Sequence, residues 1–231
     1  CSSQQIPEIE EKFKDYHAFA SASLEDIYSP NKLEQATHFN ATTFASSLVK
    51  NNGENGFEVI PLPIEAQISS VFGMVVHDFN LDGNPDLLLS GNFYAPEVET
   101  GRQDAGIGLL LEGDGKGGFT PQDAWKTGFL SPDDGRSLAM LYDGAFPLLL
   151  IGNNNDALQS FAYIKGTGKG DRFRLGEYYA EMHFKDGTVQ RLENYLGSGY
   201  LSGSTGIIQI GPETDRLVFY QLDGTTREVR P

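Results

Sequence analysis

Three aspartates and two asparagines fall within nine residues, Asp78-Phe79-Asn80-Leu81-Asp82-Gly83-Asn84-Pro85-Asp86. Side-chain oxygens stand at the first, third, fifth and ninth places, Asp78, Asn80, Asp82 and Asp86. Alternate positions of a tight loop point toward one centre, and Ca²⁺ is a hard ion that takes six to eight oxygens at about 2.3–2.6 Å. Gly83 follows the third of these residues, where the chain must turn sharply. An EF-hand is excluded, because its bidentate Glu would stand at the twelfth place and Leu89 is there. The expected metal ligands are therefore Asp78, Asn80, Asp82 and Asp86, with a backbone carbonyl from Asn84. The alternative is a polar hairpin turn without metal, since Asp, Asn and Gly also form turns. Three carboxylates so close repel one another without a cation, which favours calcium.

The elements that must position these residues are short. Apolar runs precede the loop at 71–76 and follow it at 87–89, a strand–loop–strand pattern. From residue 44 onward short apolar runs alternate with turn residues, and the chain holds 27 glycines. Strands are predicted at 44–49, 57–62, 72–78, 86–91, 108–111, 137–141, 148–152 and 160–164. Longer strands are predicted at 177–184, 188–195, 206–210 and 217–222. Hairpin signals lie at Asn52-Gly53, Asp82-Gly83, Asp114-Gly115, Asp143-Gly144, Asp186-Gly187 and Asp223-Gly224. Before residue 40 the texture is helical. Ile9, Phe13, Tyr16, Ala20, Leu24, Ile27 and Tyr28 recur at steps of three and four. They predict one helix over 7–28, and a short one over 31–36 follows Pro30. The stripe reads as a face that packs on the rest of the protein.

The segment 74–92 is echoed at 139–153. Each reads strand, Asp turn, three leucines, then Gly-Asn, and the second copy lacks four loop residues and the metal ligands. A second echo pairs Asn52–Phe57 with Asp114–Phe119. Such repeats fit stacked four-stranded blades. Three regions follow: a helical segment over 1–39, propeller-type blades over 40–165, and a small β module over 166–231, joined by the glycine-rich stretch 165–170. The fold class is mainly β, with a partial or small propeller.

The loop Asp78–Asp86 with its flanking strands resembles the FG-GAP or VCBS repeat. The tail, Asn194-Tyr195-Leu196-Gly197-Ser198-Gly199-Tyr200-Leu201-Ser202-Gly203-Ser204 with Ile207–Gly211, resembles the ASPIC/UnbV domain of proteins similar to cartilage acidic protein. Leu62-Pro63 and Ala66-Gln67, Gly91-Asn92 and Gly101–Asp104 are similar to VCBS proteins of Bacteroidetes-type bacteria. The resemblance implies a β-propeller with calcium in its blade loops. The chain departs from it in keeping one ligand-bearing loop and strands for about three blades. It therefore reads as part of a longer protein, a partner of another chain, or a smaller closure. The tail also lacks the Gly-Leu-Gly and Trp-Pro-Asp-Gly common in the family; Gly211-Pro212 and Gln221-Leu222-Asp223-Gly224 stand there.

Charge and composition narrow the function. Of 231 residues, 39% are hydrophobic and 21% charged, a globular balance with enough chain to bury a core. The net charge of −15 repels phosphate backbones, so nucleic acid is excluded as a partner. No apolar run reaches the length of a membrane span. The one cysteine, Cys1, opens the chain before Ser-Ser-Gln-Gln. It reads equally as the acylated Cys of a bacterial lipoprotein or as a fragment boundary, and membrane contact is expected only through that lipid.

Catalytic signals are sparse. His17, His38, His77 and His183 lack metal-ligand spacing. Gly197–Tyr200 is not a nucleophile elbow. Lys165–Gly170 lacks the end of a phosphate loop. Asp133-Asp134-Gly135-Arg136 reads as a solvated turn or a second cation site, the turn being favoured. Trp125 and the aromatics Phe93, Tyr94, Tyr178, Tyr179, Tyr195 and Tyr200 suit either a core or a sugar platform. The expected function is an exported or cell-surface, calcium-binding, non-catalytic protein whose ligand is a protein or glycan. The alternative is a polysaccharide-acting enzyme, or an accessory subunit of a bacterial surface lipoprotein complex.

Overall fold

Leu87, Leu88 and Leu89 follow the acidic loop without a polar break, and all three are buried. A strand turns successive side chains to opposite faces, so such a run needs apolar cover on both sides. The computed structural model, which describes residues 2–142, 147–163, 170–195, 197, 199 and 201–231, supplies that cover. Leu88 joins Val75, Phe79, Phe129, Leu138, Met140, Leu149, Ile151 and Ile207 in one core. Leu87 and Leu89 join Ala66 and Leu111 in another. Burying each leucine contributes about 1.5–3 kcal/mol.

The protein is mainly β, built from several antiparallel sheets. A hairpin of β1 (Ser47–Asn51) and β2 (Phe57–Pro61) opens the second unit of the chain. Four strands follow as an up-and-down sheet: β3 (Gly73–His77), β4 (Asp86–Ser90), β5 (Leu109–Gly113) and β6 (Phe119–Gln122). A three-stranded sheet comes next, with β7 (Gly135–Tyr142), β8 (Pro147–Asn153) and β9 (Gln159–Ala162). Short β10 (Gly170–Arg172) pairs with β13 (Ile207–Gln209). The last sheet has the order β12-β11-β14-β15, from β11 (Glu177–Phe184), β12 (Val189–Glu193), β14 (Thr214–Gln221) and β15 (Thr226–Val229). Its inner face holds Ala180, Met182, Leu217 and Phe219, packed with Ile208 and Ile210.

Both sequence echoes are hairpins. Asn52 N–H donates to the Gly56 carbonyl at 2.8 Å, and Asp114 N–H to the Gly118 carbonyl at 3.0 Å. β3–β4 and β7–β8 are likewise antiparallel pairs. The Asp143-Gly144 turn, residues 165–169 of the glycine-rich stretch, and Leu196, Ser198 and Tyr200 of the tail motif lie outside the described residues, as does Cys1.

The single helix expected over 7–28 is corrected. Residues 2–44 cluster as a unit of their own and carry five short helices. These are α1 (Ser2–Gln5), α2 (Glu8–Lys12), α3 (Tyr16–Ala20), α4 (Leu24–Ile27) and α5 (Pro30–Gln35). Short polar side chains interrupt the run. Asp15 is extended and accepts from Ala18 N–H at 2.8 Å, and Ser23 and Asp26 form a reciprocal capping box. Each such cap starts a new helix where the period alone predicts continuation. Of the stripe, Ile9 is buried, whereas Tyr16 is 95% exposed. Strands β10 and β15 have no counterpart among the predicted ones. Among the described residues no helix is long and apolar enough to cross a membrane.

Candidate metal centre

The loop is closed at its base by a strand pair. His77 ends β3 opposite Asp86, the first residue of β4, so residues 78–85 form the connection. Two backbone turns curl it: Leu81 has φ 66° and Gly83 φ 89°, a conformation that favours glycine. Side-chain oxygens then cap the loop's own amides. Asp78 accepts from Asp82 N–H at 3.1 Å and from Gly83 N–H at 2.8 Å, one on each oxygen. Asn80 Oδ1 accepts from Asp82 N–H at 2.9 Å, and Asn80 Nδ2 donates to Asp82 Oδ2 at 2.9 Å. Asp82 Oδ1 accepts from Asn84 N–H at 2.8 Å.

Asp86 sits below this ring and is fully buried. Its Oδ2 accepts from Phe79 N–H and its Oδ1 from Gly113 N–H, each at 2.8 Å. The second bond ties the loop to the end of β5. A side chain at Gly113 would strike the Pro85 carbonyl, since a Cβ there would lie 2.2 Å from that oxygen.

Burial pushes the carboxyl pKa of both Asp78 and Asp86 upward, and neighbouring carboxylates push the same way. Asp82 acts on Asp78, and both Asp78 and Asp82 act on Asp86. The amide donors oppose this shift without cancelling it. A raised carboxyl pKa means the ionised form is the disfavoured one. Above that folded pKa the loop withholds stability, and the loss is relieved as pH falls through it.

Sequence reasoning missed the layer beneath the loop. Tyr163 Oη donates to the Phe79 carbonyl at 2.6 Å. Burial, with the charges of Asp78 and Asp86, raises its pKa to about 12, so it remains a donor. His77 meets Phe79 and Tyr163 edge to face, with centroids 5.2 and 5.9 Å away, and its Nε2 lies 3.1 Å from Gln209 Oε1. Burial lowers its pKa, so it packs as a neutral ring. Tyr163 and Gln209 lie far from the loop in the chain, and no local signal marks them.

The structure links Asp78, Asn80, Asp82 and Asn84 through hydrogen bonds within the loop and sets Asp86 at its base. It does not gather the three carboxylates around one point: among the described residues no group of three or more His, Cys, Asp and Glu side chains is placed to hold a metal ion. The donor set itself is made of hard oxygens, the chemistry that suits calcium. Each oxygen of Asp78 and Asp86 accepts one N–H and keeps a further lone pair.

The turn 133–136 is not the solvated feature expected. Asp134 is 2% exposed and pairs with Arg136 at 3.0 Å. The Arg136 guanidinium lies 4.5 and 4.8 Å from the ring centroids of Phe72 and Phe93. The aromatics do not form one platform. Phe93 packs under Arg136, Tyr94 under Arg102, and Tyr179 stacks on Tyr220 at 4.4 Å. Trp125 stands apart, 91% exposed. It borders an open groove enclosing about 400 Å³, whose lining includes Glu65, Ile68, Ile107, Gln122 and Asp123.

Compared with known proteins, the chain matches no family model and no curated protein.

Proposed function

We propose that this chain is an exported, calcium-binding, non-catalytic interaction protein, with its sheets serving as propeller-type blades. The observation that carries the reading is the hairpin at 77–86. Five oxygen-bearing residues stand on a loop closed by the His77–Asp86 pair, and its last aspartate is fully buried. Asp78, Asn80, Asp82 and Asp86, with the Asn84 carbonyl, would hold the ion. When bound, calcium supplies positive charge where three carboxylates crowd one another. Its role is structural, clasping β3 to β4.

The up-and-down order β3-β4-β5-β6 supports a blade, and β7-β8-β9 a shorter one. The resemblance to FG-GAP/VCBS repeats, with an ASPIC/UnbV-like module over 166–231, supports the same reading. Further blades, from the same protein or another subunit, would complete a ring. The ligand is a protein or a glycan, met at a bacterial cell surface, with acylation of Cys1 as the membrane attachment. A net charge of −15 argues against nucleic acid.

A thermal melt of the full chain, with calcium and after its removal, tests this. An ion present at a hundred times its dissociation constant adds about 2.7 kcal/mol, a rise of several degrees. Identical melts in both conditions would remove the calcium reading.

One observation favours a second reading, a polysaccharide-acting enzyme: Glu65 and Asp123 line the same groove. Release of reducing ends from a polysaccharide, lost in Glu65→Gln and Asp123→Asn, would replace the non-catalytic reading.

A further inference from the structure

An indole left in water is costly, and Trp125 is 91% exposed. It is the one tryptophan of the chain. It also stands on a fixed base. The helix α6 (Ala124–Thr127) is a single turn, with Asp123 Oδ1 accepting from Trp125 N–H at 2.8 Å and Gly128 closing it in the left-handed region. The ring is thus presented from a capped turn.

The groove beside it has two kinds of wall. One is aliphatic: Ile68 is 55% exposed and Ile107 50%. The other is polar: Glu65, Gln122, Asp123 and Ser69. The Ser69 hydroxyl already donates to Asn92 Oδ1 at 2.7 Å. The Glu65 carboxylate and the Gln122 amide make no hydrogen bond to another described residue. No Lys, Arg or His lines the groove among the described residues.

We infer that this groove binds a neutral saccharide, with Trp125 stacking on the apolar face of one sugar ring. The lining matches that chemistry. A sugar ring carries C–H groups on one face and hydroxyls around its edge. An aromatic face meets the former. Carboxylates accept hydroxyl hydrogens, and an amide both donates and accepts. The volume suits one or two sugar rings, and a concave, mainly apolar site with a few polar groups is the usual form of a small-molecule site. Anionic ligands are disfavoured by two carboxylates with no cation opposite. A quaternary ammonium group would be held by several rings around it, and one ring stands here. The inference deepens the proposed role as a binding protein, on which it rests, by naming the ligand class.

The single indole makes the test direct. The full chain would be titrated with neutral trisaccharides (cellotriose, maltotriose, xylotriose, mannotriose) up to about 10 mM while Trp emission is followed. Stacking should quench or blue-shift the emission saturably with at least one of them. By calorimetry, Trp125→Ala should abolish that binding, and Gln122→Ala should weaken it about ten-fold. Trp125 is on the surface and Gln122 is half-buried at the end of β6, and circular dichroism melts would verify that the variants fold. Three results would overturn the inference: no saccharide changes the emission, binding persists in Trp125→Ala, or only tetramethylammonium saturates the signal. Calcium melts on the same samples separate the two claims. A calcium effect without saccharide binding removes the groove and leaves the calcium reading, and saccharide binding without a calcium effect does the reverse.

Discussion

His77 Nε2 donates to Gln209 Oε1 at 3.1 Å, joining two residues 132 positions apart. His77 is the last residue of the strand that enters the acidic loop, and Gln209 the last of β13. The loop is therefore braced from the tail of the chain as well as by its own turn. Tyr163 adds a second brace from 84 positions away, through the Phe79 carbonyl.

Removing either brace should loosen the loop. His77→Ala and Gln209→Ala should each lower stability by about 1 kcal/mol, the net worth of a hydrogen bond plus lost packing. The double variant should lose less than the sum, because both changes delete the same bond. Urea midpoints at constant slope would measure this. Strict additivity would mean the two side chains do not act on each other.

Asp82 is the most exposed carboxylate of the loop, so its contribution should depend on what it holds. In saturating calcium, Asp82→Ala should cost about 2 kcal/mol through the weakened site. Without calcium the loss should be under about 1 kcal/mol, the worth of its bond to Asn84 N–H. Equal losses in both conditions would assign Asp82 to the turn alone.

The acid side of the pH profile is set elsewhere. Glu177 is 3% exposed, and its two oxygens accept from Arg227 Nε at 2.7 Å and Nη2 at 2.8 Å. Arg227 also pairs with Asp171 and lies 3.9 Å from the Phe219 ring centroid. The guanidinium hydrogen bonds lower the Glu177 pKa. A lowered carboxyl pKa stabilises the fold above the unfolded value of about 4.3 and is lost as pH falls through the folded one. Glu177→Gln should cost about 3 kcal/mol at neutral pH, since it leaves Arg227 short of a partner. The gap to the wild type should narrow as pH drops below about 4. A constant gap across that window would exclude charge as the cause.

The candidate ligands were legible because they share nine contiguous residues, and turn chemistry and ligand chemistry use the same side chains. The flanking hairpin was legible because Val75 and the three leucines are core residues. The braces were not, because Gln209, Tyr163 and Gly113 reach the loop through tertiary pairing. Strands β10 and β15 escaped because Gly170–Arg172 has no apolar residue and Thr226–Val229 has one. They are set by their neighbours: β15 registers on β14, and β10 on β13. The broken helix shows the opposite failure, where a valid apolar period was overruled by Asp15 and Ser23.

Ile207 and Ile208 are adjacent on β13 and point to different cores. Ile207 packs with Val75 and Leu138, and Ile208 with Leu217 and Phe219. Thr205 N–H also donates to the Met140 carbonyl at 2.8 Å. One strand therefore ties the sheets around the acidic loop to the last sheet. Its pull should make residues 45–231 unfold in one transition. Ile207→Ala and Ile208→Ala should each cost about 2–5 kcal/mol, and each should lower the same midpoint. Two probes can follow this: the emission of Trp125, beside the first sheet, and the near-ultraviolet dichroism of the stacked Tyr179 and Tyr220 in the last one. If β13 is the tie, both signals shift together in both variants. If Ile207→Ala moves the tryptophan signal alone and Ile208→Ala the tyrosine signal alone, the two cores are independent folding units and the bracing of the loop by Gln209 is a surface contact between them.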